Sequence, residues 1–239
     1  MITGLDHIGL AIGDVRGAAT AYALLFGAEP TAGSESSLRF QLAHMALRIG
    51  AGGAEPVFGL GFAVDDLAAT ERMLGRRGVP TDEGVLSRQA CHGVAMSLAA
   101  HRPADPPPPR RDAPHALDHV VIHTPDPERA VALYGGRLGL DLRLDRANPQ
   151  WGTRLLFFRC GAAVVEISVD LNAPVGDGPD RITGLAWRVE DAVAAQERLA
   201  AAGLNVSPVR PGRKPGTQVF TVRAGVPGAP TLMLGGAAR

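Results

Sequence analysis

The chain has 239 residues, 46% of them hydrophobic, which is enough apolar material for one large domain or two of ordinary size and argues against disorder. Its 24 basic and 24 acidic side chains cancel, so the composition gives no electrostatic reason to expect nucleic acid or an anionic membrane as a partner. No charged leader, no apolar run of about 18 residues and only two cysteines are present, so we expect a soluble, cytoplasmic protein without a disulfide framework.

The first half of the chain contains two units that each begin with an apolar strand and continue into a helix. The first strand carries Leu5-Asp6-His7, and the helix after it contains Tyr22 and ends near Gly27. The second strand begins at Gly59, and Leu67, Thr70 and Leu74 then recur at helical spacing before Gly78. We therefore predict a domain over residues 1–100.

A proline-rich segment separates the two halves. Residues 101–116 include four consecutive prolines, which cannot donate backbone hydrogen bonds and favour an extended chain. Such a run can bind SH3-like modules, but a spacer is the preferred interpretation because the flanking halves resemble each other.

The second half, residues 117–239, repeats the pattern of the first. Asp126 is placed to cap a helix with Pro127 at its first position, and Ala130, Leu133, Tyr134 and Leu138 fall on one face before Gly139. Runs rich in branched and aromatic residues predict strands over 154–159, 163–168 and 218–223.

The two halves match residue by residue, which indicates a tandem duplication. Leu117-Asp118-His119 repeats the opening triplet of the first half, and the segment that begins at Gly184 matches the one that begins at Gly59. Four units of strand, helix and three strands (βαβββ) account for the chain, so we predict an α+β fold.

With this triplet, the acidic helix start and a closing Val-Val-Glu166-Ile, the chain resembles the vicinal oxygen chelate superfamily. That superfamily includes glyoxalase I, bleomycin-resistance proteins, methylmalonyl-CoA epimerase and extradiol dioxygenases. The resemblance implies that the four units pair into two domains with curved mixed sheets, each sheet forming an open cup. In many members a divalent metal in the cup chelates two neighbouring oxygens of the substrate.

The resemblance also implies where metal ligands would lie. His119 and Glu166 match two of the four ligand places, whereas Gly184 and Leu232 or Met233 stand at the other two. In the first half His7 matches, but Arg48 replaces the glutamate, so that half is expected to be a structural partner. Catalytic zinc sites usually present three protein ligands, which leaves a divalent metal (Zn, Ni, Fe or Mn) open and otherwise no cofactor.

A third ligand could come from outside the matched places. His123 is too far along the same strand to share an ion with His119, but His101, His115, Cys160 or another subunit remain open. A homodimer is likewise open.

Each candidate residue has a structural alternative. His119 is either a ligand or a structural histidine like His7, with the neighbouring aspartate or backbone groups as its partners. Glu166 must face solvent or find a partner, and in a partly apolar cup its pKa would rise, which suits a catalytic base.

Further residues of the second half are candidates for binding the substrate. The tryptophans could stack on a flat ligand or pack in the core, and the cations could bind an anion or lie in a solvated turn. These candidates are Trp151, Arg154, Trp187, Arg210, Arg213 and Lys214.

Two functions follow for a protein with a small-molecule partner. One is a glyoxalase- or dioxygenase-like enzyme, a lyase, isomerase or dioxygenase acting on a small oxygenated substrate, with its site in the second domain and Glu166 as the catalytic residue. The other is a protein of the bleomycin-resistance type that sequesters an aromatic or antibiotic-like compound without catalysis.

Overall fold

The structure is a computed structural model that describes residues 1–33, 37–101, 106 and 108–236. Residues 102–105 and 107 of the predicted linker lie outside the described part. Among the described residues, no helix is long and apolar enough to cross a membrane.

The described residues contain few helices. They are α1 (Val15–Phe26), α2 (Leu67–Arg76), α3 (Pro127–Ala130), which continues into a π-helical segment (Val131–Arg137), a 3-10 turn (Pro149–Trp151) and α4 (Ala192–Ala201).

Strands make up most of the remaining regular structure. They are β1 (Ile2–Ile12), β2 (Thr31–Ala32), β3 (Leu38–Gln41), β4 (Ala46–Ala51), β5 (Val57–Val64), β6 (Thr81–Asp82), β7 (Val85–Leu86), β8 (Ala95–Ala100), β9 (Ala116–His123), β10 (Asp141–Asn148), β11 (Thr153–Cys160), β12 (Ala163–Asp170), β13 (Arg181–Arg188), β14 (Asn205–Val206), β15 (Arg210–Pro211), β16 (Gln218–Ala224) and β17 (Thr231–Gly235).

The described strands form two curved mixed sheets. The first has the order β2-β3-β4-β1-β5-β8-β7-β6, and the second has the order β10-β11-β12-β9-β13-β17-β16-β14 with β15 paired to β16. The first sheet is drawn from residues 2–100 and the second from residues 116–235. The three strands predicted in the second half are confirmed as parts of β11, β12 and β16.

The chain divides into two compact units. Unit 1 contains Met1–His7, Gly59–Pro103 and His119–Thr183, and unit 2 contains Ile8–Phe58, Ala104–Asp118 and Gly184–Arg239. The assignment of residues 1–100 and 117–239 to separate domains therefore stays a prediction. His119 and Glu166 both belong to unit 1.

The helix that follows β9 begins as the sequence predicts. The Asp126 side chain accepts hydrogen bonds from the backbone N–H groups of Glu128 and Arg129, at 3.0 and 3.1 Å, and Pro127 occupies the first turn. Tyr134 is fully buried, with its ring centroid 5.8 Å from that of Phe158 on β11. The helix therefore packs on the sheet through the predicted face.

The π-helical segment was not expected from the sequence. Its wider turn is marked at the end by a hydrogen bond from the Leu138 N–H to the Leu133 carbonyl, five residues earlier. Gly139 follows with φ of 75°, a left-handed conformation that favours glycine, and ends the helix as predicted.

Candidate active site

The site is built on three neighbouring strands, β11, β12 and β9, from the part of β9 that begins at His119 and belongs to unit 1. The parallel register of β12 with β9 pairs Val164 with His119 and Glu166 with Val121. The antiparallel register of β11 with β12 pairs Phe157 with Glu166. Because paired residues share a face of the sheet and side chains alternate along a strand, His119 and Glu166 lie on the same face.

This face is the one turned away from the helix that follows β9. Along β12, Val165 and Ile167 are fully buried, whereas Glu166 between them is partly exposed. The same alternation holds on β9, where Val120 and Ile122 are buried and His119 is accessible. The sequence places two polar side chains on the accessible face because apolar residues occupy the alternate positions.

His119 and Glu166 form a close pair. The His119 Nε2 atom lies 3.6 Å from the Glu166 Oε2 atom, and the two side chains are 19% and 14% exposed. At this distance the two atoms make an ion pair when the imidazole is protonated rather than an ordinary hydrogen bond. The structure therefore brings together the two residues that the resemblance assigned to one site.

His7 in the matching strand of the first half has different surroundings. Its Nδ1 atom lies 2.8 Å from Asp6 Oδ2. The imidazole also lies directly over Gly61, where an added Cβ would come within 2.0 Å of the ring. His7 is thus held by its neighbouring aspartate and by close backbone approach, whereas Asp118 beside His119 instead accepts a hydrogen bond from Arg188 Nε at 2.8 Å.

Two of the donors that a metal would need are present at the pair. His119 Nε2 and Glu166 Oε2 are close enough to bind one ion, but no group of three or more His, Cys, Asp and Glu side chains suited to a metal occurs among the described residues. Cys160 is buried, which raises the pKa of its thiol to about 12 and disfavours the thiolate that binds metals. The described residues therefore supply fewer than the three protein ligands of a typical catalytic zinc site.

Two further histidines bear on the question of a third donor, namely His115 in unit 2 and His123 on β9. His115 lies in unit 2, where its carbonyl accepts a hydrogen bond from the Ala43 N–H and its own N–H donates to the Arg188 carbonyl. Burial lowers the pKa of the His115 imidazole. His123 lies on the same face of β9 as His119, one full alternation beyond Val121.

Arg154 lies on the opposite face of β11 from the position that pairs with Glu166. Its guanidinium donates two hydrogen bonds to Asp145, at 2.9 and 2.7 Å, and a third to Glu128 at 2.8 Å. Hydrogen bonding to this arginine lowers the pKa of Asp145. The structure therefore places Arg154 in an ion cluster on the helix side of the sheet and does not bring it to the pair.

The two tryptophans have contrasting environments. Trp151, at the end of the 3-10 turn in unit 1, is 61% exposed. Trp187, in unit 2, is fully buried and packs edge-on against Phe26 with ring centroids 5.1 Å apart. Trp187 therefore has the packing role that the sequence left open as its alternative, whereas the Trp151 side chain is largely exposed.

The three cations of the 210–214 segment are exposed in unit 2. Arg210 pairs with Val219 between β15 and β16, and the following turn is closed by a hydrogen bond from the Thr217 hydroxyl to the Lys214 carbonyl. Arg213 and Lys214 lie on that turn. Anion binding by these side chains stays a prediction.

One residue of the accessible face was missed by the sequence reasoning. Arg159 pairs with Val164, which in turn pairs with His119, so its side chain shares the face of the pair. The signal was available in principle, because Arg159 follows Phe157 by two positions and therefore alternates onto the same face.

Comparison with known proteins identifies relatives of this chain. A family model described as Glyoxalase/Bleomycin resistance protein/Dioxygenase superfamily matches residues 118–221. An ethylmalonyl-CoA/methylmalonyl-CoA epimerase from Cereibacter sphaeroides is 30% identical over 101 residues, which cover 38% of this chain and 72% of the epimerase.

Solved structures match over nearly the whole chain. A mutant of 4-hydroxymandelate synthase from Streptomyces coelicolor has a TM-score of 0.76 at 13% identity, covering 100% of this chain and 94% of that one. A Mn(II)-bound glyoxalase from Novosphingobium aromaticivorans has a TM-score of 0.69 at 18% identity, covering 98% and 82%. At these identities the likeness establishes the fold, and the predicted α+β arrangement is confirmed.

Proposed function

Because the chain belongs to the glyoxalase/bleomycin resistance protein/dioxygenase superfamily, we propose that it is an enzyme in which Glu166 removes a proton from the carbon next to a carbonyl group of a small oxygenated substrate. The observation that carries the proposal is the His119–Glu166 pair, 3.6 Å apart and mostly buried on one face of the sheet. The epimerase relative, by its name an enzyme acting on acyl-CoA thioesters, supports this class of reaction.

Each member of the pair has a distinct role in this reaction. The Glu166 carboxylate takes the proton, and the electrons of the broken C–H bond move onto the carbonyl oxygen to give an enolate. His119, beside it, donates a hydrogen bond to that oxygen, where negative charge develops. Return of a proton from solvent to the opposite face of the enolate inverts the configuration of that carbon and completes an epimerisation, whereas return from Glu166 to the same face regenerates the substrate.

This assignment uses the donors that the described residues supply. A divalent metal bound here would act as a Lewis acid on the substrate oxygens, with His119 and Glu166 as its donors. Because these are two donors rather than three, the proposed proton transfer depends on the side chains themselves, and dioxygenase chemistry, which needs an iron centre with three ligands, is the less supported alternative.

The test is an isomerisation assay on ethylmalonyl-CoA and methylmalonyl-CoA. We expect Glu166→Gln to reduce the rate by about a hundredfold or more, the usual contribution of a positioned general base. The control is Glu128→Gln, since Glu128 is a carboxylate of the same unit that is bound to Arg154 on the other face of the sheet. Equal rates for the wild type and Glu166→Gln would contradict the proposal.

Metal dependence is tested on the same preparations. Protein dialysed against a chelator is assayed with and without Mn(II), and a thermal-shift screen with Zn(II), Ni(II), Fe(II) and Mn(II) compares the wild type with His119→Ala. We expect the chelated protein to retain proton-transfer activity. A specific ion that restores activity and stabilises only the wild type would show that the pair works as a metal site.

Sequestration of a flat aromatic compound is the second candidate, and the exposed ring of Trp151 is the observation that favours it. Such a function predicts binding of polycyclic compounds without turnover. Affinity that is unchanged in Trp151→Ala would exclude a stacking role for this residue.

A further inference from the structure

Arg159 lies beside the His119–Glu166 pair on β11. The registers place Arg159, Val164 and His119 in one row across the sheet and Phe157, Glu166 and Val121 in the next. Arg159 is one strand across and one row along from Glu166, so their Cα atoms are about 8 Å apart at ~4.8 Å between strands and ~3.3 Å per residue. A flexible arginine side chain spans that separation.

The Arg159 guanidinium is available for a ligand. Its side chain is exposed, and within the described part of the chain it makes no hydrogen bond or ion pair. Neighbouring arginines differ, because Arg154 is held by Asp145 and Glu128, and Arg143 donates to Asp141 at 2.9 Å. Arg159 is therefore a cation whose charge the described residues leave uncompensated.

The position of this cation meets a need of the proposed reaction. The Glu166 carboxylate repels a negatively charged substrate. Val164 and Phe157, which lie between the Glu166 and Arg159 side chains, are apolar and cannot screen that repulsion. A guanidinium at the edge of this apolar strip supplies two parallel donors that match the geometry of a carboxylate.

We propose that Arg159 is a substrate-positioning residue that binds a carboxylate group of the substrate. The substrate class is accordingly a small carbonyl compound that also carries a carboxylate, so that the anion held by Arg159 keeps the carbon that loses its proton over Glu166. The identity of the reaction rests on the proposed function, but the binding of the carboxylate does not.

The test compares two thioesters that differ only in the carboxylate, methylmalonyl-CoA and propionyl-CoA. Their equilibrium affinities are measured by calorimetry for the wild type, Arg159→Gln and Arg159→Lys. We expect Arg159→Gln to weaken methylmalonyl-CoA binding about tenfold or more, the loss typical of a hydrogen-bonded charge pair, and to leave propionyl-CoA binding unchanged. Arg159→Lys retains the charge and should recover part of the affinity.

Arg146→Gln is the matched control. Arg146 is an exposed arginine on β10 that pairs with Leu155, so it shares the accessible face of the pair but lies two strands from β12, one strand farther from Glu166 than Arg159. We expect this variant to bind both thioesters as the wild type does.

Two outcomes would overturn the inference. One is that the wild type binds the two thioesters with equal affinity or binds neither of them. The other is Arg159→Gln weakening both equally. The proposed function fails separately, if the wild type binds the carboxylate through Arg159 yet catalyses no proton transfer.

Discussion

The ion pair between Arg129 and Asp180 in unit 1 predicts a large loss of stability when one partner is removed. Arg129 Nη2 lies 2.6 Å from Asp180 Oδ1, and the two side chains are 15% and 0% exposed. Asp180→Ala leaves a mostly buried guanidinium without its carboxylate, which typically costs about 3–5 kcal/mol of unfolding free energy. For a chain of this length each kcal/mol corresponds to about 2–4 °C in Tm.

The assay is urea unfolding of the variant beside a matched surface variant, Asp145→Ala. Asp145 also binds an arginine at 2.7 Å, but its side chain is 40% exposed, so we expect a loss of about 1 kcal/mol or less. The double variant Arg129→Met, Asp180→Leu removes both buried charges and should recover most of the stability. Losses of equal size for Asp180→Ala and Asp145→Ala would refute the reasoning from burial.

Two further predictions concern unit 2 and the tryptophans. Burial and the neighbouring Arg188 lower the pKa of His44 from 6.5 to about 4. As the pH falls from 6.5 to about 4, this histidine is protonated in the unfolded chain before it is protonated in the folded protein, so the folded protein loses stability. We expect a loss of about 1–2 kcal/mol, because the imidazole is partly exposed. Unfolding measured between pH 7 and 4 should show this loss in the wild type and a smaller one in His44→Gln. Trp187→Ala should lose about 3–5 kcal/mol because its ring is fully buried, whereas Trp151→Ala should change stability by about 0.5 kcal/mol or less, and thermal unfolding distinguishes them. Similar losses for both would contradict the burial of Trp187.

The sequence predicted the fold because its signals are local. Asp126 and Pro127 specify a helix start whatever the tertiary structure, and alternating apolar residues around Glu166 specify a half-buried strand. The repeated triplet that ends in His119 then indicates the architecture through resemblance. The π-helical turn carries no comparable signal, because its spacing of buried residues also fits an α-helix.

The residues that surround the site were harder to predict from the sequence. Arg154 was a substrate-binding candidate, but the face on which a residue lies follows from strand register, and a shift of one residue reverses it. Glu166 pairs with Phe157, which puts Arg154 on the far face and Arg159 on the near one. The burial of Trp187 depends on packing against Phe26, a contact between residues far apart in the chain.

Exchange of the substrate proton with solvent tests the central claim most directly. Methylmalonyl-CoA is incubated in D2O with the wild type or Glu166→Gln, and loss of the proton on the carbon between the two carbonyl groups is followed by NMR. We predict exchange catalysed by the wild type and reduced by about a hundredfold or more in Glu166→Gln, because the carboxylate that accepts the proton is gone. Exchange at the same rate in both proteins would contradict a role for Glu166 as the base.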